Sequence, residues 1–184
     1  MVITGNPKES GADLAVAIVN TWETLPHPHE GLEDVEDLRI FLRAVGRTEA
    51  ATVATDDDVA EFRQLRGRLR RVFETDEVAE AASVLNAIAT ESGAVPRLAP
   101  GPNGLTLEFG PEDGSLTDRL AATAVVALIE IVRAHGLDRF GTCAADPCMC
   151  AYVDRTKNRS KRYCCELCAD RAAQRDYRAR RRGT

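Results

Sequence analysis

The chain has 184 residues, 44% of them hydrophobic, and a formal net charge of −5, enough for one ordinary domain with a packed core plus a small appendage. No run of eighteen or more apolar residues occurs, and the opening MVITGNPKESG has neither a basic start nor an apolar h-region. A membrane span and a secretory leader are therefore not expected, and the protein reads as soluble and cytoplasmic.

The net charge hides an asymmetry. From Gly136 onward twelve Lys and Arg stand against six Asp and Glu, a balance of +6, which leaves −11 for residues 1–135. An acidic body with a basic tail implies that the tail meets any polyanion. All six cysteines also lie in that tail. A secreted disulfide framework would spread its staples over the fold, so this clustering points to metal binding in a reducing compartment.

Along the body, Ala12 to Trp22 places Leu14, Ile18 and Trp22 one helical turn apart with Val19 beside them, which predicts a first amphipathic helix. LPHPHEG breaks it, and His27 and His29 there read as loop residues in solvent, with no third metal ligand nearby in sequence. From Glu33, the residues Val35, Leu38, Phe41, Leu42 and Val45 mark a second helix that stops at Gly46. Asp56 to Asp58 suit a helix N-terminus, where they cap free amides and meet the positive end of the dipole. Behind them Val59, Phe62, Leu65, Leu69, Val72 and Phe73 form a buried stripe, with the arginines at 63, 66, 68, 70 and 71 mostly off it on a solvated face.

Glu77 to Glu91 continues as an alanine-rich helix ending at Gly93. The period then changes: Val95 to Ala99 and Leu105 to Phe109, joined by PGPNG, read as a β-hairpin. Ser115 and Asp118 open the most apolar helix, Leu116 to His135, which is expected to run through the centre of the body. His135 is a cation suited to that helix's C-terminus, and Gly136 is a C-cap signal. The body has no glycine-rich phosphate loop, no Ser/His/Asp arrangement with recognisable flanks and no His-Glu-x-x-His. It is read as non-enzymatic, with an internal pocket rather than a catalytic cleft.

In the tail, Cys143-x4-Cys148 is followed after fifteen residues by Cys164-x3-Cys168, with Cys150 and Cys165 as extra thiols. Two close cysteine pairs across a short insert suit a structural Zn²⁺, which takes four thiolates in a tetrahedron. In AYVDRTKNRSKRYC, the apolar Tyr152 and Val153 and later Tyr163 flank a turn-prone centre, which predicts a hairpin. Its basic tip would be Arg155, Lys157, Arg159, Lys161 and Arg162. The second pair is expected at the start of a helix, giving a treble-clef-like arrangement. In an extended segment Cys148 and Cys150 point to opposite faces, so spacing favours Cys143, Cys148 and Cys168 and leaves the fourth ligand between Cys164 and Cys165. From Arg171 to Arg182 six arginines face one aspartate, and Arg171, Arg175, Arg178 and Arg182 fall on one helical face.

These residues resemble the CGNR zinc finger, whose members carry an F/V-x-D-x-S/T-x-N-x-x-R-R-W/Y-C stretch and a Cys-Gly-Asn-Arg tetrad. Here the tetrad reads Cys168-Ala169-Asp170-Arg171, matching at its cysteine and arginine. Members with the shorter second pair usually have serine after its first cysteine, which implies Cys164 as the ligand and Cys165 as a bystander. The body resembles the companion ABATE-type domain, with Val19-Asn20-Thr21 standing at its V-N-T signature. The resemblance implies a stress-response transcription regulator, with the zinc finger binding duplex DNA and the other domain sensing a small effector.

The expected fold is thus mainly α with one small β-hairpin: a helical ABATE-like sensor domain at residues 1–136 and a small treble-clef-like zinc finger at 137–184. The expected zinc ligands are Cys143, Cys148, Cys164 and Cys168. A reading from another class is a zinc-scaffolded protein- or RNA-binding adapter without sequence-specific DNA binding.

Overall fold

A computed structural model describes residues 10–23, 29–101 and 104–182, without the side chains of Glu23 and Arg182. Helix α1 (Gly11–Val19) is capped by Ser10, whose hydroxyl accepts from the Asp13 amide at 3.3 Å. Every residue from Ala12 to Val19 is buried, so this helix is enclosed on all sides rather than amphipathic. Trp22 lies beyond it in β1 (Trp22–Glu23), half exposed, and pairs with β2 (His29–Glu30). That short pair was not legible in the sequence. His29 is exposed in β2, and His27 lies outside the described residues.

Helix α2 (Val35–Ala44) starts on the Asp34 carboxylate, which accepts from the amides of Glu36 and Asp37, and a short α3 (Thr48–Val53) follows. Helix α4 (Asp56–Glu74) begins with a capping box in which the Thr55 amide donates to Asp58 at 2.7 Å. Its apolar stripe is buried as expected, and Arg63, Arg68 and Arg71 are partly solvated as expected, but Arg66 and Arg70 are largely covered. Arg66 is buried and forms a bidentate pair with Glu30 at 2.5 and 2.6 Å, lying over the Trp22 ring. Burial opposes the charge of Glu30, yet hydrogen bonds from Arg66 and the Leu32 amide hold its carboxyl below the ordinary value. Arg63, Arg68, Arg70 and Arg71 pair with Glu30, Glu91, Glu74 and Glu80.

Helix α5 (Val78–Glu91) leads to the hairpin of β3 (Pro96–Gly101) and β4 (Gly104–Phe109). Helix α6 (Leu116–His135) opens with a Ser115–Asp118 capping box and ends at Gly136, whose φ of 64° favours glycine. It packs on α1, α4, α5 and β4. The helix buried all round is nevertheless α1, because α6 leaves Ile129, Ile131 and Val132 half exposed. At Gly11 an added Cβ would sit 2.4 Å from the Thr123 carbonyl of α6, so glycine lets the two helices touch.

The last elements are β5 (Phe140–Thr142), β6 (Ala151–Val153) and α7 (Glu166–Arg182). Among the described residues the fold is mostly helical, with three two-stranded antiparallel sheets. Ala151 and Val153 belong to the body's hydrophobic core, and Leu137 and Phe140 pack against it. The Phe140 ring meets Phe73 of α4 edge to face at 5.1 Å. The tail is therefore built onto the body through a shared core. No helix among the described residues is long and apolar enough to cross a membrane.

Candidate metal centre and nucleic-acid interface

The first cysteine pair lies inside the β5–β6 hairpin. The Cys143 amide donates to the Cys150 carbonyl at 2.9 Å, and the Cys148 amide to the Ala145 carbonyl at 2.7 Å. These bonds fold residues 143–150 into a knuckle with both sulfurs inward. The Ala144 amide donates to the Arg162 carbonyl at 2.9 Å, and the Cys164 amide to Cys143 Sγ at 3.4 Å. Those contacts draw the second pair beside the first. Cys164 precedes α7 and only Cys168 sits in its first turn, so the pair does not share a helix face as its spacing suggests.

The Sγ atoms of Cys143, Cys148, Cys164 and Cys168 lie within 4.8 Å of one another, and all four residues are buried. Cys148 to Cys164 is 3.8 Å and Cys164 to Cys168 is 3.7 Å. Four sulfurs about 2.3 Å from a tetrahedral zinc would stand roughly 3.8 Å apart, so the site fits the ion. The thiols show the electrostatic need for it. A hydrogen bond with Cys150 and burial push the Cys164 thiol far up, and burial pushes Cys168 up to about 12. Burial also raises Cys143, but amides of Cys164 and Ala145 outweigh it and bring that thiol down. A bound cation removes the penalty of gathering thiolates in one buried place.

Cys165 Sγ lies 3.8 Å from Cys164 but outside the set of four. Cys150 is buried and touches Cys164 rather than turning away. Cys150 lies outside the set of four, as its spacing from Cys148 suggested, although residues 148–150 are not a strand and β6 begins only at Ala151.

The segment after β6 is not the expected hairpin. Strand β6 pairs back with β5, and residues 154–163 form a loop organised by Asp154. Its carboxylate accepts from the amides of Thr156 at 2.7 Å and Lys161 at 2.9 Å. Tyr152 lies across its β5 partner Gly141, where a Cβ would meet its ring at 2.7 Å, and donates its hydroxyl to the Lys161 carbonyl at 2.7 Å.

This loop disperses the basic residues. Arg155 pairs with Asp13 of α1 at 2.8 Å and donates to Ser10 Oγ at 3.1 Å. Arg159 is paired with Asp138. Lys161 lies over Tyr152 and Arg162 over Tyr163, while Lys157 is exposed. On α7, Arg171, Arg175 and Arg178 are exposed, as are Arg180 and Arg181. The side chain of Arg182 lies outside the described residues.

Sequence reasoning missed the residues that join tail to body. The Asn20 amide pairs with the Ala151 backbone, Nδ2 donating to the carbonyl at 3.0 Å and Oδ1 accepting from the amide at 2.8 Å. The V-N-T triplet was its only trace in the sequence.

A model of the ABATE family, described as a putative stress-induced transcription regulator, matches residues 12–135. A model of the CGNR zinc finger matches residues 139–181. Comparison with curated proteins finds no match. With its four-cysteine cluster and the matched body preceding it, the chain belongs to the ABATE family and carries a zinc-binding CGNR zinc finger at its C-terminal end.

Proposed function

We propose that this protein is a zinc-dependent regulator that binds duplex DNA through α7, and that it acts by binding rather than by turnover. The carrying observation is the exposure of α7. Beyond Ala172 no described residue of this helix is buried, and it bears Arg175, Arg178, Arg180 and Arg181. Along this exposed stretch the arginines outnumber the one carboxylate, Asp176 beside Arg175, and no core holds it, whereas phosphates would balance the excess charge and restrain the helix. The ten residues from Ala173 to Arg182 make a rod about 15 Å long, and a helix about 10–12 Å across with its side chains suits a major groove about 12 Å wide.

In this reading Cys143, Cys148, Cys164 and Cys168 hold the zinc, and the ion supplies a rigid footing for the first turn of α7. Arg171, Arg175 and Arg178 then meet phosphates or guanine edges. The effector site we assign is an open cavity of about 910 Å³ between the start of α1, the β3–β4 hairpin and α6. Its wall includes Arg97, which pairs with Glu108 at 2.5 Å and keeps a buried Nε without a partner.

Selection of zinc-loaded protein against random duplex DNA tests the reading. A recovered consensus sequence is expected. Absence of duplex binding even at about 50 mM salt, where several phosphate contacts are hard to miss, would replace it with the adapter reading.

A further inference from the structure

Helix α1 grips the zinc module at both ends. At its C-terminal end, buried Asn20 pairs with both polar groups of the Ala151 backbone, as a neighbouring strand would. This satisfies an edge of β6 and fixes the direction in which the chain leaves it. Two residues past β6, Arg155 reaches the other end of α1. There its guanidinium meets Asp13 at 2.8 and 3.1 Å and Ser10 Oγ at 3.1 Å. Asp13 is itself buried, at 5% exposure, whereas the Arg155 side chain stays 54% exposed. The anion is therefore fixed by the fold, and the cation remains open to a competitor.

We infer that Asp13 is an intramolecular counterion that occupies Arg155 in place of a DNA phosphate, with the Asn20 pairing holding β6 in the register that allows it. The inference rests on the duplex-binding reading above. Arg155 is paired across to Asp13 on α1 of the acidic body. Ser10 and Gly11 also line the 910 Å³ cavity, so an occupant of that cavity meets the same turn that holds Arg155. The contact is an autoinhibitory one, released when the turn moves or the carboxylate is lost.

The test compares duplex affinity over a salt series for zinc-loaded full-length wild type, Asp13→Asn, Arg155→Ala and the double variant, with zinc content checked for each. Freeing Arg155 in Asp13→Asn should add one phosphate contact, steepening the log–log salt slope by about 0.9 and tightening binding about three- to tenfold near 0.1 M salt. Arg155→Ala alone should leave the wild-type slope unchanged, and the double variant should match it. A double variant that binds as tightly as Asp13→Asn would show that the gain does not need Arg155 and overturn the inference, and an Arg155→Ala protein weakened in proportion to its lost charge would do the same. So would an Asp13→Asn protein with the wild-type slope. Should Asp13→Asn fail to fold, Arg155→Ala still decides: a slope shallower by about 0.9 means Arg155 already contacts phosphate and the inference fails. If no variant binds duplex, the DNA reading falls and this inference falls with it, whereas the preceding outcomes leave that reading standing.

Discussion

Helices α4 and α7 carry similar numbers of arginines in opposite settings. In α4 each of Arg63, Arg66, Arg68, Arg70 and Arg71 meets a carboxylate, most from other elements, while the helix's apolar stripe is buried in the core. In α7 Arg175 meets its neighbour Asp176 at 3.6 Å and Arg181 lies over Tyr177 of the same helix, with no described residue buried beyond Ala172. The difference teaches that arginine content alone does not mark a binding surface. What counts is whether the fold has already supplied the anions.

Metal removal should break the comparison most severely. Structural zinc in small modules contributes about 10–16 kcal/mol of apparent binding free energy, so a chelator should unfold the knuckle and release α7, seen as lost helical circular dichroism. Ala151, Val153 and Phe140 are part of the body's packing, so the melting temperature of the remaining body should fall too. An unchanged body transition would contradict a shared core. Serine at Cys164 should lose the metal while serine at Cys165 keeps full stoichiometry by elemental analysis.

Next in size is Arg66→Ala, which strands the largely buried Glu30 and should cost about 3–5 kcal/mol in urea unfolding. The Glu30 carboxyl is held below its ordinary value of 4.5. Its contribution is therefore full above that value and is lost as pH falls through the folded-state value. The gap between wild type and variant should accordingly be widest near neutrality and shrink in acid.

Asn20→Ala leaves the Ala151 amide and carbonyl without their partner in a buried place, and should cost about 2–4 kcal/mol. Hydrogen exchange at the Ala151 amide, faster in the variant while zinc stays bound, would report the loss at the joint itself.

The smallest stability effects are expected on α7. Arg175→Ala and Arg178→Ala should change unfolding by less than about 0.5 kcal/mol, against the large loss at Arg66. Either should weaken duplex binding, by about 1–3 kcal/mol with relaxed base preference where the residue reads a guanine edge. A phosphate contact would instead weaken all sequences alike. A large unfolding penalty on α7 would show that its arginines are structural after all.

The sequence by itself determined the features that local physics controls. The stripe of α4, the helical spans of α5 and α6, the capping residues Asp58, Ser115 and Asp118, and the pairing of β3 with β4 follow from periodicity and backbone chemistry within a few residues. Spacing likewise pointed to a zinc site and to Cys143, Cys148 and Cys168, but left the fourth ligand between Cys164 and Cys165, which only the resemblance separated. Only the tertiary structure decided that β6 pairs back across the knuckle with β5, since Tyr152 and Val153 read equally well as partners for the segment before Tyr163. It also decided that the nine-residue α1, not α6, is enclosed on every side. An amphipathic period reports that a helix has an apolar face, not how many neighbours will cover it. The fate of the arginines and the Asn20–Ala151 joint, 131 residues apart, were hidden for the same reason: a side chain's partner across the fold leaves no mark in the residues beside it.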